Sequence, residues 1–369
     1  MPGGLNCPRQ YKMSPLMNSP LPAGSTIGIL GGGQLGRMLS LAASRLGLLT
    51  HVFDPSTGSP ASQVSQQVTN ASYDDADALR KFGHSVDVVT YEFENIPTAA
   101  LDILEGINTI YPDRKALFVS QDRFSEKTFL NDIGLQTAPF VNVENSKEAS
   151  DAIALIGTPS ILKTRRMGYD GKGQSKVKDA AEILTAWGSM RGAPSILEGF
   201  IDFTKEISVI AARGPDGEVS CYDPGENVHR NGILHTTQVP ATITASQRMD
   251  AILIAAKILN SLEYVGVMGV ELFDTSKGFL VNEFAPRVHN SGHWTQNGCD
   301  ICQFEQHIRA ISGWPLGDGS RHSDVIMENL IGTDINRVPE LSKSNTALHI
   351  YGKVDTRPGR KMGHFNTRT

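Results

Sequence analysis

The chain has 369 residues, is 40% hydrophobic and carries a formal net charge of −5. That length supports a sizeable core but exceeds one compact domain, so two or three domains are expected. A slightly acidic balance without a basic stripe argues against nucleic acid as a partner, no apolar run is long enough to cross a membrane, and four cysteines make no disulfide scaffold, which points to the cytoplasm.

Residues 1–24 are rich in Pro, Gly and Ser and show no periodicity. They read as a flexible extension, or as sequence upstream of a start at Met13 or Met17. Arg9 and Lys12 without nearby acids leave an organelle-targeting leader as the alternative. From Thr26 the chain alternates apolar runs with helical stretches. Strands are expected at 27–30, 50–54, 86–93 and 109–111, and helices at 35–46, 75–82 and 99–104. Alternation of this kind predicts a parallel sheet covered on both faces, an α/β domain ending near Pro112. The middle of the chain reads as α+β. It has a helix at 122–132 and a hairpin from 160–163 to 175–177. Strands follow at 195–198, 205–213 and 218–222, then a helix at 247–259. A second hairpin pairs 267–273 with 279–284. From about Gly313 the chain is short and partly strand-like, at 347–351.

Four segments carry chemistry. Gly31, Gly33 and Gly36 in GILGGGQLGRM fit G-x-G-x-x-G between a strand and a helix, where backbone N–H groups meet an anion. Asp54 stands where a dinucleotide fold places its ribose-binding acid. The second segment, KTRRMGYDGKGQ at 163–174, is a basic, Gly-rich hairpin tip able to fold over a polyphosphate, with Lys163 as a point charge. It is not a P-loop. In the third, folding the 267–284 hairpin about Ser276 sets Glu271 opposite Val281 and puts Glu283 on the same face. Two carboxylates so placed repel unless a cation sits between them, and oxygen ligands suit Mg²⁺ on nucleotide phosphates. The fourth, NEFAPRVHNSGHW at 282–294, offers Arg287, His289 and Asn290 to an anionic substrate. Ser291 and Gly292 argue against a helical His289/His293 metal pair. Cys299-x-x-Cys302 has no second pair and reads as a buried helix start.

Taken in order, GILGGGQLGRM, YEFENIP (91–97), KTRRMGYDGKGQ, GVMGVELF (266–273) and NEFAPRVHNSGHWTQNG (282–298) resemble the N5-carboxyaminoimidazole ribonucleotide synthases of the ATP-grasp superfamily. The resemblance runs from residue 26 to about 365. It implies a Rossmann-like domain at 25–115, an ATP-grasp domain at 116–312 and a small C-terminal domain at 313–369. The implied reaction joins 5-aminoimidazole ribonucleotide and bicarbonate at the expense of ATP, through carboxyphosphate, with Mg²⁺. The implied assembly is a homodimer that passes its product to a separate mutase. The glycine loop then serves the ribonucleotide, and the 163–174 hairpin acts as a lid.

The resemblance also implies residue roles. ATP contacts would come from Arg123, Lys163, Gly168, Tyr169, Asp170, Gly171, Lys172, Gly173 and Gln174, from the hinge Glu198, Gly199, Phe200 and Ile201, and from Glu206, His229, Asn282 and Glu283. Glu271 and Glu283 would hold the metal. Gly33, Gln34, Leu35, Glu92, Tyr169, His289, Asn290 and Arg360 would face the ribonucleotide, with Asp170, Arg287 and Lys353 as catalytic groups. Two departures stand out: the N-terminal extension, and a stop three residues after Asn366. The second implies a trimmed C-terminal domain with altered packing or dimerisation but intact chemistry. Three rival readings remain. A dehydrogenase would leave Glu271, Glu283 and the 163–174 hairpin idle. Another ATP-grasp ligase, formate-using or glycinamide-type, would differ in its acceptor. A non-catalytic nucleotide sensor would not need both acids and Lys163.

Overall fold

The structure is a computed structural model that describes residues 19–168 and 172–369. β1 (Thr26–Leu30), β2 (Leu49–Phe53), β3 (Gln67–Thr69) and β4 (Val88–Tyr91) form a parallel sheet in the order β3-β2-β1-β4. The helices between and after them are α1 (Gln34–Arg45), α2 (Ala76–His84) and α3 (Thr98–Glu105). Both faces of the sheet are covered because successive strand residues point to opposite sides. Ile27 and Ile29 pack with Leu39 of α1, whereas Leu30 packs with Leu79 of α2 and Leu101 of α3. The strand expected at 109–111 is reduced to one parallel bridge, Val89 to Ile110.

α4 (Arg114–Ser120) and α5 (Arg123–Asp132) lead into a small antiparallel sheet. It comprises β5 (Phe140–Val143), β6 (Ser160–Thr164), β7 (Gln174–Val177) and β8 (Ser195–Gly199), in the order β5-β8-β6-β7. α6 (Ser146–Ile156) and α7 (Ile183–Ser189) cover it through a core that includes Val143, Leu162 and Leu197. The hairpin read from sequence at 160–177 is the β6–β7 pair, with Lys163 opposite Gln174.

The remaining strands build one nine-stranded sheet. They are β9 (Lys205–Arg213), β10 (Val219–Cys221), β11 (Gly225–Arg230), β12 (Ile233–Val239), β13 (Gly266–Thr275), β14 (Gly278–Ala285), β15 (Val325–Ile331), β16 (Thr346–Ile350) and β17 (Lys361–Arg368). The order is β14-β13-β9-β11-β12-β15-β17-β16, with β10 beside β9. The chain from 325 onward therefore extends the central sheet instead of forming a sheet of its own. α8 (Ala245–Ser261), capped by Thr244 and Gln247 in a capping box, packs on Ile207, Val209 and Ala211 of β9. The alternate residues Ile210 and Ala212 face a core shared with α1 and α10 (Gln303–Ile311), which fuses the parallel-sheet layer to the large sheet. The short helices α9 (Thr295–Gly298) and α11 (Val338–Leu341) complete the fold.

The β13–β14 hairpin corrects one expectation. Its turn holds two residues, Ser276 and Lys277, so Thr275 pairs with Gly278 and Leu272 with Val281. A bulge then inserts Asn282, and Glu271 lies directly opposite Glu283, not Val281. Most of the N-terminal extension lies outside the described residues. Near its end, Leu21 donates its N–H to the Ser312 carbonyl at 2.9 Å, and its carbonyl accepts from Trp314 Nε1 at 2.7 Å.

Candidate active site

A cleft of about 730 Å³ opens where the parallel-sheet layer, the small sheet and the large sheet meet. Its floor carries the two carboxylates set opposite each other by the bulge. Arg123, at the first turn of α5, donates Nη1 to Glu283 Oε2 at 2.7 Å. The cleft floor disfavours charge, but this guanidinium holds the Glu283 carboxyl down to about 2. Glu271 lacks such a partner, and burial followed by the Glu283 charge pushes it up to about 7. His289 Nε2 stands 3.5 Å from Glu271 Oε1 while its Nδ1 shares a hydrogen with Ser291 Oγ at 2.8 Å. Burial, then Arg287 and Lys361, push His289 down to about 3, so it is neutral at pH 7. Two adjacent carboxylates with incomplete protein coordination are the donor set a hard divalent cation takes when phosphates supply the rest.

The roof comes from the small sheet. Lys163 on β6 donates Nζ to Glu198 Oε2 on β8 at 2.9 Å, and Gly168, Lys172 and Gln174 also line the cleft. Phe203 and Phe273, the latter on β13 of the large sheet, stack at 4.6 Å in the cleft lining. Glu206 lies 2.8 Å from His229 Nδ1. Burial opposes charge on His229, but Glu206 offsets it and the imidazole is held above its ordinary value.

On the parallel-sheet side the glycine loop meets the protein's own acids. Gly32 N–H donates to Asp54 Oδ2 at 2.6 Å, and Gly33 N–H donates to Glu92 Oε1 at 2.9 Å. Gly36 N–H reaches Glu92 Oε2 at 3.4 Å. The absence of a side chain matters at Gly31, which has φ +102° and where a Cβ would sit 2.6 Å from Glu92 Cγ. Asp54 is thus engaged in holding the loop, which leaves the dehydrogenase reading without its ribose acid. Gln34, Leu35 and Glu92 line the cleft beside this loop, whereas Gly33 is not among the lining residues.

Several residues implied by the resemblance fall elsewhere. Tyr169, Asp170 and Gly171 lie outside the described residues. Gly173 is not among the lining residues, nor are Glu198, Gly199, Phe200 and Ile201. The N–H of Gly199 donates to Pro139 O at 2.9 Å and that of Phe200 to Pro159 O at 3.1 Å. Lys353 donates to the Lys361 carbonyl at 2.7 Å and Arg360 to the Asp355 carbonyl at 2.9 Å, and neither lines the cleft. Lys361, which the sequence offers with Arg357 and Arg360 as a basic turn able to clamp a phosphate, does. Arg287 lines it and pairs with Glu94 at 2.9 Å, and Asn290 lines it while exchanging amide hydrogen bonds with Asn329. Sequence reasoning also missed Glu126 and Lys127, which are only 2% and 1% exposed. Burial followed by the Glu283 charge pushes Glu126 up to about 8. The stretch Asp122-Arg123-x-x-Glu126-Lys127 resembles an ordinary charged helix start, and only its tertiary neighbours distinguish it. His293 donates or accepts with Gln303 at 2.9 Å deep in the core, and no group of three metal-binding side chains exists among the described residues.

Family models match nearly the whole chain. They are a ribonucleotide synthetase preATP-grasp domain over residues 24–121, an ATP-grasp domain over 128–304 and a phosphoribosylaminoimidazole carboxylase C-terminal domain over 325–369. The N5-carboxyaminoimidazole ribonucleotide synthase of Brucella melitensis biotype 1 is 51% identical over 348 residues, covering 93% of this chain and 96% of the relative. That of Bacillus subtilis is 41% identical over 93% of this chain and 91% of its own length. A crystal structure of an N5-carboxyaminoimidazole ribonucleotide synthetase with ADP superposes with a TM-score of 0.92 at 42% identity, covering 96% and 94% of the two chains. The Aspergillus clavatus enzyme in complex with ADP and 5-aminoimidazole ribonucleotide gives 0.88 at 31% identity, covering 94% of each. With its three domains, its cleft and these relatives in agreement, the chain belongs to the N5-carboxyaminoimidazole ribonucleotide synthase family of ATP-grasp ligases.

Proposed function

We propose that the chain carboxylates the exocyclic amine of 5-aminoimidazole ribonucleotide with bicarbonate and ATP, releasing ADP and phosphate, in purine biosynthesis. The observation that carries this reading is the convergence of Arg123, Lys163, Glu271 and Glu283 on one cleft whose far wall is the glycine loop with Gln34, Leu35 and Glu92. A nucleotide polyphosphate fits the cationic, acid-floored half, and a second, phosphate-bearing substrate fits the half lined by Arg287, His289, Asn290 and Lys361.

Glu271 and Glu283 would hold Mg²⁺, which supplies charge neutralisation and orientation of the terminal phosphates. Arg123 and Lys163 bind the phosphate oxygens, and the strand-to-strand tip carrying Gly168, Lys172 and Gln174 shields them from water. A bicarbonate oxygen attacks the γ-phosphorus as the bond to the ADP oxygen breaks, giving carboxyphosphate. The amine nitrogen then attacks the carboxyl carbon. The carbon–oxygen bond to phosphate breaks, phosphate leaves with that electron pair, and the amine proton is lost. Neutral His289 and the cation Arg287 border the place where this charge develops. Catalysis is chiefly positioning and charge stabilisation. Lys353 would act through the Lys361 carbonyl that it holds, while Arg360 and Asp170 keep the substrate-binding and catalytic parts that the resemblance implies for them. Hinge contacts to the base would come from backbone groups of 198–201 other than the Gly199 and Phe200 N–H, which Pro139 and Pro159 hold; a homodimer is the working form, and a separate mutase consumes the product. A reducing cytoplasm suits the unpaired thiols of Cys221, Cys299 and Cys302.

The test is ADP release with Mg²⁺, ATP and bicarbonate, with and without 5-aminoimidazole ribonucleotide, using Glu283→Gln as control. Strong stimulation by the nucleotide, lost in the variant, establishes the reading. Stimulation by a different amine, or by formate, replaces the acceptor.

A further inference from the structure

α5 does more than deliver Arg123. β14 is an edge strand: apart from Val281, whose N–H donates to the Gln136 carbonyl at 2.8 Å, its outward backbone groups have no neighbouring strand to pair with. Two of them are taken by side chains from one turn of α5. The Phe284 N–H donates to Glu126 Oε1 at 2.7 Å, and the Asn282 carbonyl accepts from Lys127 Nζ at 3.3 Å. Between those two residues stands Glu283, gripped by Arg123 from the same turn. Asn282 is the bulge residue whose insertion brings Glu283 opposite Glu271. The helix thus offers a donor and an acceptor where a strand would have, and it does so at the one irregular point of the ladder.

Lys127 has a second partner. Its Nζ lies 3.5 Å from Glu198 Oε2, the same oxygen that Lys163 contacts at 2.9 Å. Glu198 belongs to the small sheet and Asn282 to the large one. A single ammonium, with a side chain 2% exposed, therefore ties the roof of the cleft to its floor. Holding a charge in so dry a place is costly unless its partners are specific, and a Leu or Met of similar volume would fill the space without the desolvation cost.

We propose that Lys127 is a positioning residue. It fixes the Asn282 bulge that sets Glu283 opposite Glu271, and it holds Glu198 so that Lys163 reaches the nucleotide phosphates. This rests on the nucleotide reading of the cleft but not on the identity of the acceptor. Lys127 touches neither substrate; it acts through a backbone carbonyl and a carboxylate.

The experiment measures binding of Mg·ADP to the full chain by calorimetry, alongside steady-state ADP release, for Lys127→Met, Lys127→Arg and Glu126→Gln. Support positioning such as this contributes about 10- to 100-fold to metal affinity or activity. Lys127→Met is expected to weaken Mg·ADP binding and raise the Mg²⁺ and ATP needed for half-maximal rate by about that factor. Lys127→Arg should recover much of it, because a guanidinium serves two acceptors as well. Unaltered nucleotide and Mg²⁺ requirements in a folded Lys127→Met chain overturn the proposal. So does a loss that the Arg variant fails to relieve. If Lys127→Met does not fold, Glu126→Gln decides. It keeps the ammonium and its two partners, so the proposal requires that its Mg·ADP affinity stay close to the parent's; a loss of about 10-fold or more would move the support to Glu126 and overturn the proposal. Wild-type binding of Mg·ADP without any stimulation by 5-aminoimidazole ribonucleotide would sink the assigned acceptor and leave this test intact.

Discussion

Glu271 and Glu283 face each other across two antiparallel strands, yet one carboxyl is held near 7 and the other near 2. The difference is Arg123, which pairs with Glu283 alone. Without a cation the Glu271 proton is the cheapest relief of the repulsion. A carboxyl raised from 4.5 to about 7 favours the fold less and less as pH rises through that window. Glu271→Gln is therefore expected to stabilise the ligand-free chain at pH 8, on the order of 1 kcal/mol, and to matter little at pH 5. Thermal unfolding at the two pH values checks this. The same variant should lose about 100-fold or more of ADP release, because a neutral amide replaces one of the two carboxylates offered to the cation. Stabilisation of equal size at both pH values would contradict the repulsion argument.

The glycine loop should tolerate no side chain at Gly31. An alanine there would have to adopt φ +102° and push against Glu92. Gly31→Ala is expected to cost about 1–3 kcal/mol, read from chemical denaturation. It should also raise the concentration of 5-aminoimidazole ribonucleotide needed for stimulation more than that of ATP, since Glu92 borders the half of the cleft away from Lys163. An equal change in both requirements would place the loop differently.

Asp54 predicts a negative titration. Its Oδ2 accepts from Gly32 N–H and its Oδ1 from Ser56 N–H at 2.7 Å. NADH fluorescence is expected to show no saturable binding. A bound dinucleotide would require Asp54 to leave Gly32 and would revive the oxidoreductase reading.

Acid sensitivity has a buried source. His307 receives the Val267 N–H on Nδ1 at 3.1 Å and shares a hydrogen with Thr90 Oγ1 through Nε2 at 2.8 Å. Burial pushes it down to about 3. The unfolded chain takes up this proton near the ordinary 6.5, whereas the fold refuses it until about 3, so acidification between those values favours unfolding. One such imidazole lowers stability by about 1.4 kcal/mol per pH unit in that window. His307→Gln is expected to be less stable at pH 7 by about 1–2 kcal/mol through lost hydrogen bonding. Its further decline from pH 6.5 to 4.5 should be shallower than that of the parent, as followed by denaturation midpoints. Parallel declines would move the acid-sensitive group to another of the buried histidines.

Much of this arrangement was legible because it rests on local pattern. Alternating apolar runs announced the parallel sheet, and the glycine spacing announced a strand-to-helix turn that needs an anion. The identity of that anion was not legible, since Asp54 and Glu92 come from 22 and 59 residues away from their amides. The bulge left a trace that symmetric folding of the hairpin ignored. Val281 and Phe284 both enter the core against α8, yet they stand three apart, an odd spacing that a regular strand cannot serve. Glu126 and Lys127 gave no trace, because a charged helix turn looks alike whether it meets water or a strand edge. β17 escaped because it is an interior strand: Lys-Met-Gly-His-Phe-Asn-Thr-Arg has no alternation, and residues from Met362 through Thr367 are largely enclosed on both faces.

The continuity of the nine-stranded sheet divides the labour of motion. Glu271, Glu283 and Lys361 ride on strands of a single hydrogen-bonded plate, so their mutual spacing survives whatever the rest of the chain does. Among the described residues the small sheet shares no ladder with that plate. What joins the two across the cleft is side chains, Lys127 between Glu198 and the Asn282 carbonyl among them, so the floor's geometry does not depend on where the β5–β8 unit sits.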